Sequence, residues 1–299
     1  MTDPRNESIA AANTAPITSS NRDQSELWNG RSGNAWVNNR AVLDQMFVPL
    51  ARFLIDRARD VAQHTPSGRM LDVGCGTGGT TLALANALGH PWQLTGADIS
   101  APMIAEARTR AAHARSPVTF VCADAQTHAF PPAHFDVIVS RLGVMFFDDP
   151  VAAFSNLRAC ARPGASLHAL AWRGADDNAF MTVSDRAARP LLSDLPTRRA
   201  GAPGQFGFAD RERVSGILTS AGWADVTLSP VDFECSFAQA DLRDYASQVG
   251  PVGLALTRLA PLDRERVVDT IVEAFAPFVR DGVVRFTSAC WHLSAFAND

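Results

Sequence analysis

Short apolar runs alternate with helix-spaced apolar positions along residues 66–172. The runs predict strands ending at Val73 and covering residues 93–98, 118–122, 135–140 and 166–172. Between them, apolar positions recur three and four residues apart, which predicts intervening helices, the first over residues 80–88. Another is expected to start with Asp149 as its cap and Pro150 at its first position, and to stop at Pro163-Gly164. Strands that alternate with helices form a parallel sheet with helices on both faces. The pattern therefore predicts an α/β fold.

The flanking regions follow other patterns. Residues 1–25 are rich in Asn, Ser, Thr and Ala and predict a disordered tail, whereas residues 26–299 predict one domain. Residues 26–63 have helical periodicity, with Pro49 as an expected kink. After residue 172 we expect a helix from Asp210 to residue 221, a strand over 224–237, a helix over 264–279 and a last strand over 283–293.

Composition narrows the possible functions. The chain has 299 residues, of which 46% are hydrophobic and 19% charged, and its net charge is −4. Its basic residues are too dispersed to predict a nucleic-acid partner. No apolar run approaches the roughly 18 residues of a membrane span, and the N-terminus lacks the core of a signal peptide. Five scattered cysteines favour a reducing cytoplasm over a disulfide framework or zinc site.

The stretch Asp72-Val73-Gly74-Cys75-Gly76-Thr77-Gly78-Gly79 joins a buried strand to a helix. Glycines in such a turn adopt positive φ and let a ligand approach the backbone, and the following helix turns its free N–H groups toward it. The stretch also matches the dinucleotide fingerprint G-x-G-x-x-G. Asp72, expected at the lip of the pocket, favours a ligand with an ammonium or sulfonium group over a pyrophosphate.

Two further acids follow strands. Asp98 ends the second strand, 24 residues after Gly74, where an acid is suited to the hydroxyls of a ribose. Ser100 can cap the next helix, which places Met103 near a bound base. Asp124 follows the third strand. Because the carboxyl ends of parallel strands share one edge of the sheet, we expect these acids beside the glycine turn.

The glycine stretch resembles motif I of the class I S-adenosylmethionine (SAM) dependent methyltransferases, and the segments up to residue 172 follow the order of that family, within which the chain looks like the small-molecule, UbiE/menaquinone type. The resemblance implies a Rossmann-like seven-stranded sheet of order 3-2-1-4-5-7-6, whose last strand is antiparallel. It also implies SAM as cofactor, a helical lid over residues 26–63, a SAM-binding core over 64–172, and substrate-side insertions over 173–208 and 237–282.

The resemblance implies sites for cofactor and acceptor. The expected cofactor residues are Asp72, Gly74, Cys75, Gly76, Thr77, Gly78, Asp98, Ile99, Met103, Asp124, Ala125, Arg141, Trp28 and Trp36. The expected substrate residues, chosen for their aromatic or apolar character, are Met145, Phe146, Trp172, Phe180 and Phe206. They predict a small, substantially apolar acceptor that is methylated on a hydroxyl or carboxyl oxygen rather than on carbon or nitrogen.

No general base can be named from the seven histidines, since His168 and His292 lie within predicted strands, where core packing is the commoner role. Asp176-Asp177-Asn178 resembles part of a Mg²⁺ site but lacks a third carboxylate, so no metal is predicted. Two alternatives remain: a non-catalytic binding protein with this fold, and an NAD(P)-dependent oxidoreductase. Asp72 and the absence of a Tyr-x-x-x-Lys motif count against the second. A homodimer is left open.

Overall fold

The computed structural model describes residues 21–192 and 195–298. Most of the tail predicted over residues 1–25 lies outside this range. Within the described residues, eight strands form one sheet. They are β1 (Gly68–Val73), β2 (Trp92–Asp98), β3 (Thr119–Cys122), β4 (Phe135–Arg141), β5 (Ala161–Trp172), β6 (Ala224–Ala238), β7 (Val279–Arg280) and β8 (Val283–Phe296).

The order of the sheet is β3-β2-β1-β4-β5-β8-β6, with β7 paired to β8 outside this path. Strands β1 to β5 are parallel, while β8 runs antiparallel to both β5 and β6. The predicted order is therefore confirmed, with β8 as the reversed strand. The addition is β7, which hydrogen-bonds to the start of β8 through the pairs Val279 with Val284 and Arg280 with Val283.

Helices flank the strands, and the N-terminal helices cover the site described below. They are α1 (Arg22–Asn29), α2 (Arg31–Asn38), α3 (Arg40–Met46), α4 (Val48–Ala62), α5 (Gly79–Leu88), α6 (Ala101–Ala114), α7 (Pro150–Cys160), α8 (Ala179–Ala188), α9 (Arg211–Ser220), α10 (Leu242–Gln248), α11 (Gly250–Leu256) and α12 (Pro261–Ala274). Helix α1 begins at Arg22, inside the segment that was assigned to the tail, because its side chains are anchored on the cofactor side of the sheet, as described below.

Side-chain caps set the starts of three helices where the sequence predicts them. Ser100 Oγ accepts from Met103 N at 3.4 Å, Asp149 Oδ1 from Ala152 N at 2.9 Å, and Asp210 Oδ1 from Arg213 N at 3.0 Å. Each cap satisfies a backbone N–H that has no partner within its helix. The first two helices start on the cofactor edge of the sheet, so these caps fix the loops around the site.

Three predicted boundaries were wrong. The helix expected over residues 264–279 ends at Ala274, and Val279 instead belongs to β7, because Pro277 interrupts the helical hydrogen bonds. Helix α7 ends at Cys160, before the expected stop at Pro163, and β5 begins directly at Ala161. The break expected at Pro49 falls two residues earlier, at Phe47, and Pro49 lies in the first turn of α4.

Alternate residues of the central strands are buried against different helices. Met70 and Val139 pack with Ala58 of α4 and Leu84 of α5. Leu71 and Ile138 fall into the main core, which includes Phe154 and Leu157 of α7. Burial on both faces explains the nearly continuous apolar character of these strands.

His168 on β5 and His292 on β8 form a stacked pair inside the fold. Their rings are 5.5 Å apart, with His168 Nδ1 3.3 Å from His292 Nε2, and Phe53 of α4 covers His292 edge-on. Burial, together with the nearby Arg57 guanidinium, lowers the pKa of each ring to about 4. The pair is therefore a neutral part of the core, away from the strand ends that carry the acids.

We expect this pair to make the protein less stable in mild acid. Since the pKa of each imidazole is lower when folded than the ordinary 6.5, the unfolded chain binds more protons below that pH, and stability falls as the pH drops from 6.5 toward 4. For His168 alone the loss between pH 7 and pH 5 is about 2 kcal/mol. Urea unfolding at the two pH values measures it.

The matched variant replaces His168 and His292 with phenylalanine, which keeps the rings and removes the titration. It should flatten the change in unfolding free energy between pH 7 and pH 5, whereas replacing the exposed His64 with alanine should leave it as in the wild type. An equal pH dependence in the double variant would show that other groups control acid stability.

Candidate active site

One cavity lies at the carboxyl ends of β1, β2, β3 and β4, beneath α1, α2 and α3. It encloses about 980 Å³ including its open mouth. Of the residues predicted from sequence, the following line it: Trp28, Trp36, Gly74, Cys75, Gly76, Thr77, Asp98, Ile99, Met103, Asp124, Ala125, Arg141 and Phe146. Its place agrees with the rule that ligands of open α/β sheets bind outside the carboxyl ends of the strands.

The glycine turn forms one wall of the cavity. Gly74, Gly76 and Gly78 have φ of 67°, 56° and 79°, as the sequence predicts. A Cβ on Gly74 would lie 2.8 Å from the Gly143 backbone, and one on Gly78 would lie 2.6 Å from the Phe120 ring. Gly74 is therefore needed for the approach of the loop after β4, and Gly78 for packing beneath the cavity rather than for lining it.

Asp98 joins the glycine turn to the end of β2. Its Oδ2 accepts from Gly76 N and its Oδ1 from Ser100 N, both at 2.8 Å. Burial raises the pKa of Asp98, and these two backbone bonds oppose the rise. The carboxylate lines the cavity with lone pairs to spare for hydroxyl donors of a ligand.

Asp124 holds the loop after β3 in a similar way. Its Oδ1 accepts from Gln126 N at 2.9 Å and from Asn21 Nδ2 at 3.1 Å, and its Oδ2 accepts from Thr127 Oγ1 at 3.4 Å. Asp124 is buried, and it lies across the cavity lining from Asp98. The two acids and the glycine turn thus share one cavity.

The cavity is also lined by a cationic side chain, that of Arg141. Arg141 ends β4, lines the cavity and has its guanidinium carbon 5.5 Å from the centre of the Phe47 ring. Among the described residues no hydrogen-bond partner holds its side chain. Burial lowers the pKa of Arg141, while the nearby Asp44 and Asp72 raise it. The guanidinium is therefore a buried cation free to bind an anionic group.

Asp72 does not lie at the lip of the cavity, which corrects the sequence prediction. Its side chain is 1% exposed, and Thr81 Oγ1 donates to its Oδ2 at 2.7 Å. Its Oδ1 has no partner among the described residues. Burial raises its pKa to about 6, while the Thr81 bond and Arg141 act in the opposite direction. Asp72 points to the same side of the sheet as Met70, toward α4 and α5, so its side chain lies beneath the turn.

Aromatic side chains close the cavity where the N-terminal helices cover it. Trp28 packs edge-on against Phe146 with centroids 5.0 Å apart, and against Trp36 at 6.1 Å. Phe146 belongs to the loop after β4, so the contact joins α1 to the strand ends. Phe47 and Phe147 also line the cavity. This end is therefore mostly apolar and suited to exclude water.

Polar contacts attach α1, α2 and α3 to the rim. Asn29 Nδ2 donates to Ile99 O at 3.0 Å and its Oδ1 accepts from Ala101 N at 2.8 Å, while Ser100 Oγ donates to Trp28 O at 2.6 Å. Asp44 of α3 pairs with Arg110 of α6 at 2.6 Å. We call residues 21–46 the N-terminal cover, since they close the cavity through such contacts.

Several predicted substrate residues lie elsewhere. Phe180 stacks on Phe286 at 3.8 Å inside the core formed by the C-terminal insertion. Trp172 is buried and donates from Nε1 to Ser288 Oγ at 2.9 Å. Met145 is buried, and Phe206 packs against Arg198. The aromatic or apolar character of these residues predicted that they line a pocket. They pack instead among other apolar side chains of the core. Of the five predicted substrate residues, only Phe146 lines the cavity.

The cavity also includes residues that sequence reasoning missed. They are chiefly Asn21, Gln24, Arg40, Leu43, Asp44, Phe47 and Gly143. Most belong to the N-terminal cover, whose helical periodicity indicates packing but gives no sign of which polar side chain faces a ligand. A hint was available in Arg40 and Asp44, two charged residues one turn apart in a short helix that is mostly apolar.

Within the described residues, no helix has the length and apolar character needed to cross a membrane. No group of three or more potential His, Cys, Asp or Glu metal ligands occurs in them either.

The chain is similar to known methyltransferases. Residues 70–164 match a family described as "Methyltransferase domain". An uncharacterised protein of Mycobacterium tuberculosis is 28% identical over 261 residues, which cover 81% of this chain and 85% of that protein. The aklanonic acid methyltransferase DauC of a Streptomyces species is 31% identical over 113 residues, or 38% of this chain and 50% of DauC.

Solved structures share the fold. A candidate methyltransferase from Bacillus halodurans superposes with a TM-score of 0.53 and 16% identity, covering 82% of this chain and 99% of that one. The phosphoethanolamine N-methyltransferase 2 of Haemonchus contortus, solved in complex with S-adenosyl-L-methionine, gives a TM-score of 0.50 and 18% identity over 95% of this chain and 61% of that one.

The cavity suits this cofactor, because carboxylates, a glycine turn and a buried guanidinium present the groups that a nucleoside joined to an amino acid requires. With the sheet order and the match of residues 70–164 to a methyltransferase domain, this supports a SAM-dependent methyltransferase.

Proposed function

We propose that the protein transfers a methyl group from SAM to an oxygen atom of a small, substantially apolar acceptor. The observation that carries this proposal is a group of three aromatic side chains, Trp28, Trp36 and Phe146. They close the same cavity that is lined by the glycine turn and the two acids. An acceptor that reaches the cofactor must pass these rings, which favour an apolar molecule over a charged or nucleic-acid one.

In this proposal the acids hold the nucleoside. Asp98 accepts from the ribose hydroxyls, since its two oxygens keep lone pairs after binding Gly76 N and Ser100 N. Asp124 accepts from the exocyclic amine of adenine. Ile99, Met103 and Ala125 line the space between the acids and would contact the faces of the base.

The amino-acid end would lie along the glycine turn, near Gly74, Cys75 and Thr77. Arg141 binds its carboxylate, because it is a buried cation without a protein partner. Asp44 lines the same end of the cavity. The negative charges of Asp44 and Asp72 favour the ammonium and sulfonium groups, Asp72 from beneath the turn.

When bound, SAM supplies a methyl group on a positively charged sulfur, which an acceptor displaces in line. The protein's part is to position the acceptor and to exclude water. The cover does both, because Trp28 contacts Phe146 across the cavity and the Asn29 bonds hold α1 against the β2 loop.

The titratable groups that line the cavity are already engaged, which favours an acceptor that needs no general base. Asp44 is paired with Arg110, and Asp98 and Asp124 each accept from their own loops. Burial raises the pKa of Cys75 well above its ordinary value, so its thiol stays protonated and cannot accept a proton. A carboxylate needs no base for methylation, and an acidic phenol or quinone-like ring needs little help. The similar protein DauC is named an aklanonic acid methyltransferase, which supports this class of acceptor.

The acceptor class can be tested with isotope-labelled SAM. We expect methyl transfer to apolar carboxylic acids and acidic phenols or quinols, at rates at least tenfold above those for amines of similar size. Thin-layer or mass-spectrometric detection of the labelled product measures it. Selective methylation of phosphoethanolamine-like amines, of a highly charged acceptor or of RNA would contradict the proposal. Cofactor binding without transfer to any acceptor would favour a non-catalytic role.

The role of Arg141 can be tested with ligands that differ only in the amino-acid end. Arg141→Met keeps an unbranched apolar stem and removes the guanidinium and its charge. It should weaken S-adenosylhomocysteine binding about 10- to 100-fold, the range of a charge-assisted hydrogen bond of about 1.5–3 kcal/mol. The affinity for 5′-methylthioadenosine, which lacks the carboxylate, should stay unchanged. Titration calorimetry measures both.

Arg40→Met is the comparison variant, since Arg40 lines the cavity but is paired with Glu106 at 2.7 Å. We expect a smaller effect on S-adenosylhomocysteine from this change. Equal losses for both ligands in Arg141→Met would instead assign Arg141 to the shape of the cavity.

A further inference from the structure

Two side-chain oxygens of the N-terminal cover lie buried without a hydrogen-bond partner among the described residues, and one of them belongs to Asn21, which contacts Asp124. Asn21 is 4% exposed, and its Oδ1 makes no hydrogen bond with the described residues. Gln24, one turn further along α1, has a buried Oε1 that likewise has no partner. Both residues line the cavity. A buried polar atom that stays unpaired costs stability, so such a pair indicates a ligand that donates.

The orientation of the Asn21 amide is fixed by its neighbour. Asn21 Nδ2 lies 3.1 Å from Asp124 Oδ1, and an ionised carboxylate only accepts hydrogen bonds. The nitrogen must therefore face Asp124. The carbonyl oxygen, at the other side of the amide, is left as an acceptor in the cavity.

Asp124 cannot satisfy a primary amine alone. Its Oδ1 already accepts from Asn21 and Gln126, and its Oδ2 accepts from Thr127. With about two lone pairs on each oxygen, one position on Oδ2 remains. The exocyclic amine of adenine has two N–H groups, so a second acceptor is required.

We propose that the N-terminal cover reads the adenine ring: Asn21 Oδ1, backed by Gln24 Oε1, accepts the second N–H of the exocyclic amine while Asp124 accepts the first. This rests on the proposed placement of the cofactor. It assigns a specificity role to residues outside the strand ends. It also links closure of the cover to the cofactor, because the cover gains these bonds only when an adenine is present.

The test compares S-adenosylhomocysteine with S-inosylhomocysteine, in which a carbonyl oxygen replaces the amine. The measured quantity is the ratio of their dissociation constants by titration calorimetry. We expect the wild type to prefer the adenine compound. The double variant N21L/Q24M keeps the side-chain sizes, removes both acceptors and should lower the ratio about five- to tenfold, which corresponds to one neutral hydrogen bond.

The matched control is Arg40→Met, which removes a charged side chain of the cover that lines the cavity and is paired with Glu106, and which keeps both amide acceptors. It should weaken both compounds by the same factor and leave the ratio as in the wild type. A double variant with the wild-type ratio would overturn the proposal. Failure of the wild type to bind S-adenosylhomocysteine would instead overturn the proposed function.

A second measurement needs no variant. The N6-methyl analogue of S-adenosylhomocysteine keeps one N–H for Asp124 and loses the other. If Asn21 accepts the second N–H, the wild type should bind this analogue at least about tenfold more weakly than the parent compound. Equal affinity for the two would overturn the proposal.

Discussion

The bond between Asp98 and the backbone of Gly76 determines the shape of the site. It ties the turn after β1 to the end of β2, and the same carboxylate accepts from Ser100 at the start of α6. The turn can approach because Gly76 has positive φ and Gly74 lies against the Gly143 backbone. Asp98 thus organises the protein on one side and presents acceptors to the cavity on the other.

The N-terminal cover depends on this arrangement. Its bonds from Asn29 and Trp28 go to Ile99, Ser100 and Ala101, the residues that directly follow Asp98. Its other attachments reach Asp124 and the Arg110 side chain, which also donates to Thr77 O in the glycine turn at 2.9 Å. The cover therefore contacts the same loops that line the cofactor site, so cofactor binding and closure are physically connected.

Much of the fold followed from sequence because its signals are local. Apolar strands, the capping residues Ser100, Asp149 and Asp210, and the glycine turn each specify structure within a few residues. The acids after β2 and β3 could be placed for the same reason, since strand ends share an edge of the sheet.

The rest of the site depends on contacts distant in sequence. Phe180 and Phe146 carry the same chemistry, yet one packs on Phe286 and the other on Trp28, and only tertiary structure separates them. The partner of Asp124 at the start of α1, Asn21, lies 103 residues away in sequence. The position of Asp72 beneath the turn depends on which side of β1 faces α4 and α5.

The most direct test of the account is calorimetric titration of S-adenosylhomocysteine into the wild type and into Asp98→Ala. The account predicts binding by the wild type and a loss of affinity of at least about 100-fold in the variant, because charged acceptors for two ribose hydroxyls are removed. Asp136→Ala, which removes a carboxylate bonded to Arg69 N and Arg162, is the control and should keep the wild-type affinity. Equal affinity of Asp98→Ala and the wild type would contradict the central claim.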